Sequence, residues 1–274
     1  MIPHRIKSSP VYFPVTLPNA MCNLPNTALF FVTHGSRDRR SWDSLQNILA
    51  VARSLHDAGA LTELCPNIMA IGGGCLEGQA TTLAQQIEQF AIAIKQQFSP
   101  ALQIENILVI PLFLLAGVHV QEDIPAQITM ATAKLAPQGI KLKVQPYLGA
   151  NPHIPHIIAQ KFTQAITPDS PHTARLLVAH GSRHTGGNDT ILRIAEQSQA
   201  IVAYWGIEPK IDTQITNLIS QGYRKICILP YFLTQGGITE AIEQKAAIYQ
   251  GQISIEHLGV PLSEQTIIKL SLDA

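Results

Sequence analysis

Three histidines stand where a short apolar run gives way to a glycine turn. They are His34 in Thr33-His-Gly-Ser-Arg37, His180 in Ala179-His-Gly-Ser-Arg183, and His119 in Ala116-Gly-Val-His119. Two carboxylates, Glu122 and Asp123, follow His119 directly. Neutral imidazoles with a carboxylate make a borderline-soft, incompletely filled donor set, suited to a divalent metal that must bind and leave. Of the two carboxylates, Glu122 is the candidate catalytic group. Ligation, proton shuttling and a favourable helix N-terminus are all open to the pair. Arg37, Arg39, Arg40 and Arg183 lie just beyond the same runs, where guanidinium forks can clamp anions. The glycine after His34 and after His180 lets the backbone turn, and the following helix start offers amides to an anion.

These residues recur in a pattern. The run ending in His34-Gly-Ser-Arg37 is echoed by the run ending in His180-Gly-Ser-Arg183. Pro111-Leu-Phe113-Leu with Gly117 is echoed by Pro230-Tyr-Phe-Leu233 with Gly236, and Leu148-Gly149 by Leu258-Gly259. Three echoes in the same order mark a duplicated domain. Each half reads as alternating strands and helices. In the first, strands fall at 28–33, 68–71, 106–113 and 141–147. Helices fall from an N-cap at Ser41 to about Ala58, and over 81–97, 121–136 and 152–166. The strands are apolar throughout rather than alternating, which predicts parallel sheets covered on both faces by helices.

The fold class is therefore α/β, with two tandem three-layer domains at 27–166 and 174–274 facing each other across a cleft. A leader at 1–26 and a linker at 167–173 flank the first. In such sheets ligands bind beyond the carboxyl ends of the strands, and first and third strands are commonly neighbours, which places His34 and His119 in one crevice. The triplet Gly72-Gly73-Gly74 does not open a helix as a dinucleotide fingerprint does, and reads as a flexible loop near the substrate.

Composition removes several classes. The 274 residues are 46% hydrophobic and 14% charged, which suits well-buried globular domains. Lys+Arg and Asp+Glu both number 19, so no basic surplus exists for a nucleic acid. No apolar run reaches membrane-spanning length, and the proline-rich leader lacks a secretory h-region. The cysteines, Cys22, Cys65, Cys75 and Cys227, form neither CxxC nor a disulfide framework. They read as reduced thiols of a cytoplasmic protein, with no iron–sulfur cluster.

From Ala28 onward the chain resembles the long, two-domain sirohydrochlorin chelatases, the class II tetrapyrrole chelatases that insert iron for siroheme or cobalt for cobalamin. The HGSRD opening, Cys75-Leu76-Glu77, PLFLLAGVHVQEDIP over 111–125 and the second HGSR…PYFL copy carry the resemblance. It implies that His34 is metal ligand and proton acceptor, and that His119 is the second ligand. It also implies substrate contacts from Glu77 and from Phe113, Leu114, Leu115, Ala116, Gly117 and Val118. The second copy departs from the pattern, since Pro230–Glu240 holds no histidine. One metal site is expected, in the first half, with His180, Arg37 and Arg183 lining the cleft.

The expected activity is insertion of Fe2+, or alternatively Co2+, into sirohydrochlorin, with no cofactor beyond that substrate metal. A non-catalytic metal or tetrapyrrole carrier and a phosphate-handling enzyme are the rivals of other classes. Whether the chain forms a homodimer is left open.

Overall fold

The computed structural model describes residues 24–97, 103–166 and 172–273. The leader up to residue 23, with Cys22, and most of the expected linker lie outside the described residues. The first half runs β1 (Thr27–Gly35), α1 (Arg39–Asp57), β2 (Ile68–Glu77), α2 (Leu83–Gln97), β3 (Asn106–Pro111), a π-helical turn (His119–Asp123), α3 (Ile124–Leu135), β4 (Lys141–Val144) and α4 (Ile154–Ala165). The second runs β5 (Thr173–Ala179), α5 (Asp189–Gln197), β6 (Ile201–Tyr204), α6 (Ile211–Ser220), β7 (Lys225–Pro230), α7 (Gly237–Ala247), β8 (Ser254–His257) and α8 (Glu264–Leu272).

Both sheets are parallel throughout, with matching orders β2-β1-β3-β4 and β6-β5-β7-β8. The expected fold class is borne out. β1 shows why: every residue of the strand is buried except His34. Only a strand covered on both faces can carry so continuous an apolar run. On the outer face of the first sheet, α2 and α3 bury Leu83, Ile87, Ile124 and Leu135 against Phe30 and Val109. On the outer face of the second, α6 and α7 bury Ile215, Leu218 and Ile242.

Between the sheets lie α1, α4, α5 and α8, and they belong to one core. Leu45, Ile48, Ile158 and Phe162 of the first half share a continuous apolar cluster with Ile191, Ile194, Ile267 and Ile268 of the second. The halves meet as α1 against α8 and α4 against α5. Asn151 Nδ2 donates across this seam to the Leu270 carbonyl at 2.9 Å, and Lys161 Nζ to the Val260 carbonyl at 3.1 Å. Among the described residues no helix is long and apolar enough to cross a membrane.

Two expectations need correction. Helix α1 starts at Arg39, and its N-cap is Asp38, whose carboxylate accepts from the Arg40 amide at 3.0 Å, rather than Ser41. The charged Arg39-Arg40 pair hid a first turn that faces solvent. The glycine triplet is not a loop either: β2 continues through it to Glu77. The reason is packing. A Cβ at Gly72 would fall 2.4 Å from the Phe90 ring, and one at Gly74 2.4 Å from Gln86 Oε1 and 3.0 Å from Phe30. Glycines let α2 lie flat on an edge strand. That edge is partly capped by side chains. Gln86 both accepts from the Cys75 amide and donates to its carbonyl, and Arg53 donates to the Ile71 carbonyl.

Candidate metal-binding site

The length of β2 sets the site. Its parallel register with β1 pairs Thr33 with Cys75 and Gly35 with Glu77, so Glu77 arrives beside the turn that carries His34. Gly35 has φ +77° and Gly78 φ +77°, conformations that favour glycine, and each backbone closes tightly on the other strand. Below them Thr33 Oγ1 lies 3.3 Å from Cys75 Sγ, and burial pushes that thiol's pKa up. Cys65, Cys75 and Cys227 are all buried.

His119 comes from the other side. β3 is the neighbour of β1. Its chain leaves through Leu112–Gly117, then tightens into the π-helical turn His119–Asp123. Leu148-Gly149, the third repeated motif, supports this turn: the Gly149 amide donates to the Phe113 carbonyl at 2.8 Å, and a Cβ there would fall 2.0 Å from the Leu114 carbonyl oxygen.

The two imidazoles meet edge to face, with ring centroids 4.4 Å apart and Nε2 atoms 2.9 Å apart. His34 Nδ1 donates to its neighbour's carbonyl, Gly35 O, at 2.7 Å, and His119 Nδ1 donates to Asp123 Oδ2 at 2.7 Å. Both Nε2 atoms of the neutral rings therefore carry lone pairs. Two such lone pairs at 2.9 Å repel unless a proton or a metal ion lies between them. A tetrahedral metal ion at about 2.0–2.1 Å from each nitrogen would set them about 3.3 Å apart, a small adjustment. Ligand atoms of His34, Glu77 and His119 all lie within 4.8 Å of one another, the only such grouping among the described residues. Three ligands at an exposed strand end leave coordination positions open on the solvent side.

The other expected site residues are distributed unevenly. Phe113 lies beside both histidines, with ring centroids 6.5 Å from His34 and 6.3 Å from His119. Ala116 is half-buried, and Gly117 and Val118 are exposed on the same turn. Leu114 is buried, Leu115 packs on the central core, and the Leu114 carbonyl accepts from the buried Tyr231 hydroxyl of the second half at 3.4 Å. Glu122 is exposed and lies outside the His34–Glu77–His119 grouping. Arg37, Arg183 and His180 are exposed after their strands. Arg40 is already held: Nη1 donates to both Glu240 oxygens, at 2.8 and 3.0 Å, and Nη2 to Asp38 at 2.8 Å. It thus ties the turn after β1 to the start of α7, alongside a cavity of 340 Å³.

The same positions in the second half have different residues. His180 repeats the His34 geometry, its Nδ1 donating to the Gly181 carbonyl at 3.1 Å, and Gly181 has φ +82°. Extending the β5–β6 register beyond Ala179 and Tyr204 puts Gly206 where the first half has Glu77. Counting from Gly236, which matches Gly117, puts Ile238 where the first half has His119. Spacing alone did not reveal Glu77 as a possible ligand or Asp123 as the partner of His119; both depend on local backbone geometry.

Two stacked parallel α/β halves of this kind define the chelatase fold. SirB from Bacillus subtilis, solved with Fe3+, matches with a TM-score of 0.66 at 18% identity, over 90% of this chain and 93% of that one. CbiX, described as the terminal enzyme for biosynthesis of siroheme in denitrifying bacteria, matches with a TM-score of 0.53 at 20% identity, over 89% of this chain and 96% of that one. The CbiX family model matches residues 28–165 and 174–272, and the chain belongs to that family. A curated relative, the sirohydrochlorin cobaltochelatase of Priestia megaterium, is 24% identical over 236 residues, 82% of this chain and 70% of that protein. The resemblance to sirohydrochlorin chelatases drawn from the motifs is thereby borne out.

Proposed function

We propose that this protein inserts Fe2+ into sirohydrochlorin, and that His34, Glu77 and His119 hold the metal as it enters the ring. The convergence of these three ligands at the carboxyl ends of β1, β2 and β3 carries the reading. Insertion needs a site that binds the ion without enclosing it, so that pyrrole nitrogens replace solvent and then protein ligands stepwise. Two imidazoles and one carboxylate at an exposed strand end meet that need. The ring must lose its central N–H protons as the metal enters. Each Nε2 lone pair becomes a proton acceptor once the metal has moved on, which makes His34 and His119 bases as well as ligands.

Phe113 and the turn to Val118 form a wall against which a flat macrocycle can lie. A wall that favours a bent ring lowers the barrier by binding the transition state more tightly than the substrate. The carboxylate-rich rim suits Arg37 and Arg183, and the exposed Glu122, close in sequence to His119, would relay protons outward. The exchange of protons for a metal ion transfers no electrons, so no redox cofactor is invoked. The buried thiols of Cys75 and Cys227 fit a cytoplasmic setting.

Cobalt is the second reading, favoured by the name of the Priestia megaterium relative. The donor set itself separates the two ions weakly. Anaerobic insertion into sirohydrochlorin with Fe2+ or Co2+, followed by absorbance, tests both. Acceleration by wild type that is lost in His34→Ala and His119→Ala supports the chelatase, and the faster ion identifies the metal. Tight sirohydrochlorin binding without acceleration would replace the enzyme with a carrier.

A further inference from the structure

We infer that Asp123 is a positioning residue: its carboxylate fixes the tautomer and tilt of His119, and the π-helical turn is the backbone device that brings it there. The inference uses the chelatase reading only for the metal that His119 would hold. Asp123 Oδ2 accepts from His119 Nδ1 at 2.7 Å, with the imidazole 33% and the carboxylate 47% exposed. That bond commits the ring proton to Nδ1 and leaves Nε2 free to face His34. A carboxylate behind an imidazole also strengthens it as a donor to metal.

The second half supplies the comparison. His34 and His180 both bond a following glycine carbonyl, so that contact comes with the turn itself and survives in a half lacking the other ligands. The Asp123 contact does not recur. From Gly236 the second half reaches its first fully buried helix-face isoleucine at Ile242, whereas from Gly117 the first half reaches Ile124 one residue later. The first half absorbs its additional residue as the π turn His119–Asp123, while α7 starts directly at Gly237 with no π turn. π turns are rare and collect at functional sites. Here the turn is present in the half that has the histidine and absent in the half that has Ile238 instead.

Co2+ alone, titrated into the full chain and followed by its visible absorption, is the test. Asp123→Ala should weaken Co2+ binding about 10–100-fold and shift the absorption band, because the ring is then free to rotate and change tautomer. Asp123→Asn keeps the shape but removes the charge, and its amide can offer N–H to Nδ1. It should weaken binding as well, with kcat for insertion falling and KM for sirohydrochlorin unchanged. Asp123→Glu should restore part of both. Folding is checked by thermal melting; should Asp123→Ala fail to fold, the isosteric Asp123→Asn decides. Wild-type Co2+ affinity and spectrum in a folded Asp123→Ala or Asp123→Asn protein would overturn the inference. Binding that depends on Asp123 in a protein that never accelerates insertion would instead overturn the chelatase reading and leave this one standing.

Discussion

Gly35 faces Glu77 across the β1–β2 ladder so closely that a Cβ at residue 35 would lie 2.1 Å from the Glu77 carbonyl oxygen. The turn that presents one histidine and the strand end that presents the carboxylate are therefore a single closely packed unit.

Gly35→Ala should disturb both stability and the site. Its φ of +77° disfavours any side chain, and the clash pushes Glu77 away from His34. A loss of about 1–3 kcal/mol is expected by urea denaturation. Co2+ affinity should fall with it. Gly181→Ala, at the equivalent turn with φ +82°, should cost comparable stability yet leave Co2+ affinity intact. Equal effects of the two substitutions on Co2+ would refute the assignment of the metal to the first half.

The second half can be used to rebuild the site. Ile238→His with Gly206→Glu would restore, next to His180, the residue types found around His34. Calorimetry should detect a second Co2+ equivalent, weaker than the first because no π turn and no Asp123 counterpart support the new histidine. A stoichiometry that stays at one would mean that the strand ends of the two halves are not equivalent.

His257 gives the second sheet an acid sensitivity. Its Nδ1 is buried with no hydrogen-bond partner among the described residues, and burial pushes its pKa below the usual imidazole value, partly opposed by Glu243. The folded protein thus binds a proton at His257 less readily than the unfolded chain. The associated stability is complete above the ordinary imidazole range and is lost as pH falls through it towards the lowered folded value. His257→Gln should flatten the change in urea midpoint between about pH 7.5 and pH 5. An unchanged slope would assign the sensitivity to other groups.

The Arg40 bridge should prove modest and salt-dependent. Its charges are half exposed, so the Arg40–Glu240 coupling in a double-mutant cycle should be small and should disappear at about 1 M salt. The guanidinium holds the Asp38 carboxyl below its ordinary pKa. Its contribution is therefore present above the usual carboxylate range and fades as pH falls through the lowered value. A large coupling that persists at high salt would show that Arg40 is a structural anchor of both halves.

How much of this was legible in the sequence depends on which force set each feature. The duplication, the parallel sheets and the neighbouring of His34 and His119 were readable, because burial on two faces writes continuous apolar runs and the repeat fixes the order of elements. Glu77 was readable only by resemblance, as a substrate contact. Its place near the histidines depends on β2 running through three glycines, and glycine content in isolation reads as a loop. Only the rings of Phe90 and Phe30 and the amide of Gln86, all distant in sequence, make a strand of it. Asp123 was visible as a carboxylate but its role was not, since a π turn is a backbone irregularity that no hydrophobic period announces. The Asp38 cap was missed because the first turn of α1 carries no buried residue.

The common middle layer constrains how this chain can be divided. The second half lacks counterparts of two of the three candidate donors, Glu77 and His119, yet it cannot be discarded. Cutting the chain after residue 166 would strip α1 and α4 of α8 and α5 and open the shared cluster around Leu45, Ile158 and Phe162 to water. A half without the full candidate donor set is still indispensable as a wall, because α5 and α8 complete the shared core. The duplication is asymmetric: the candidate donors gather in the first half, while the core needs both halves.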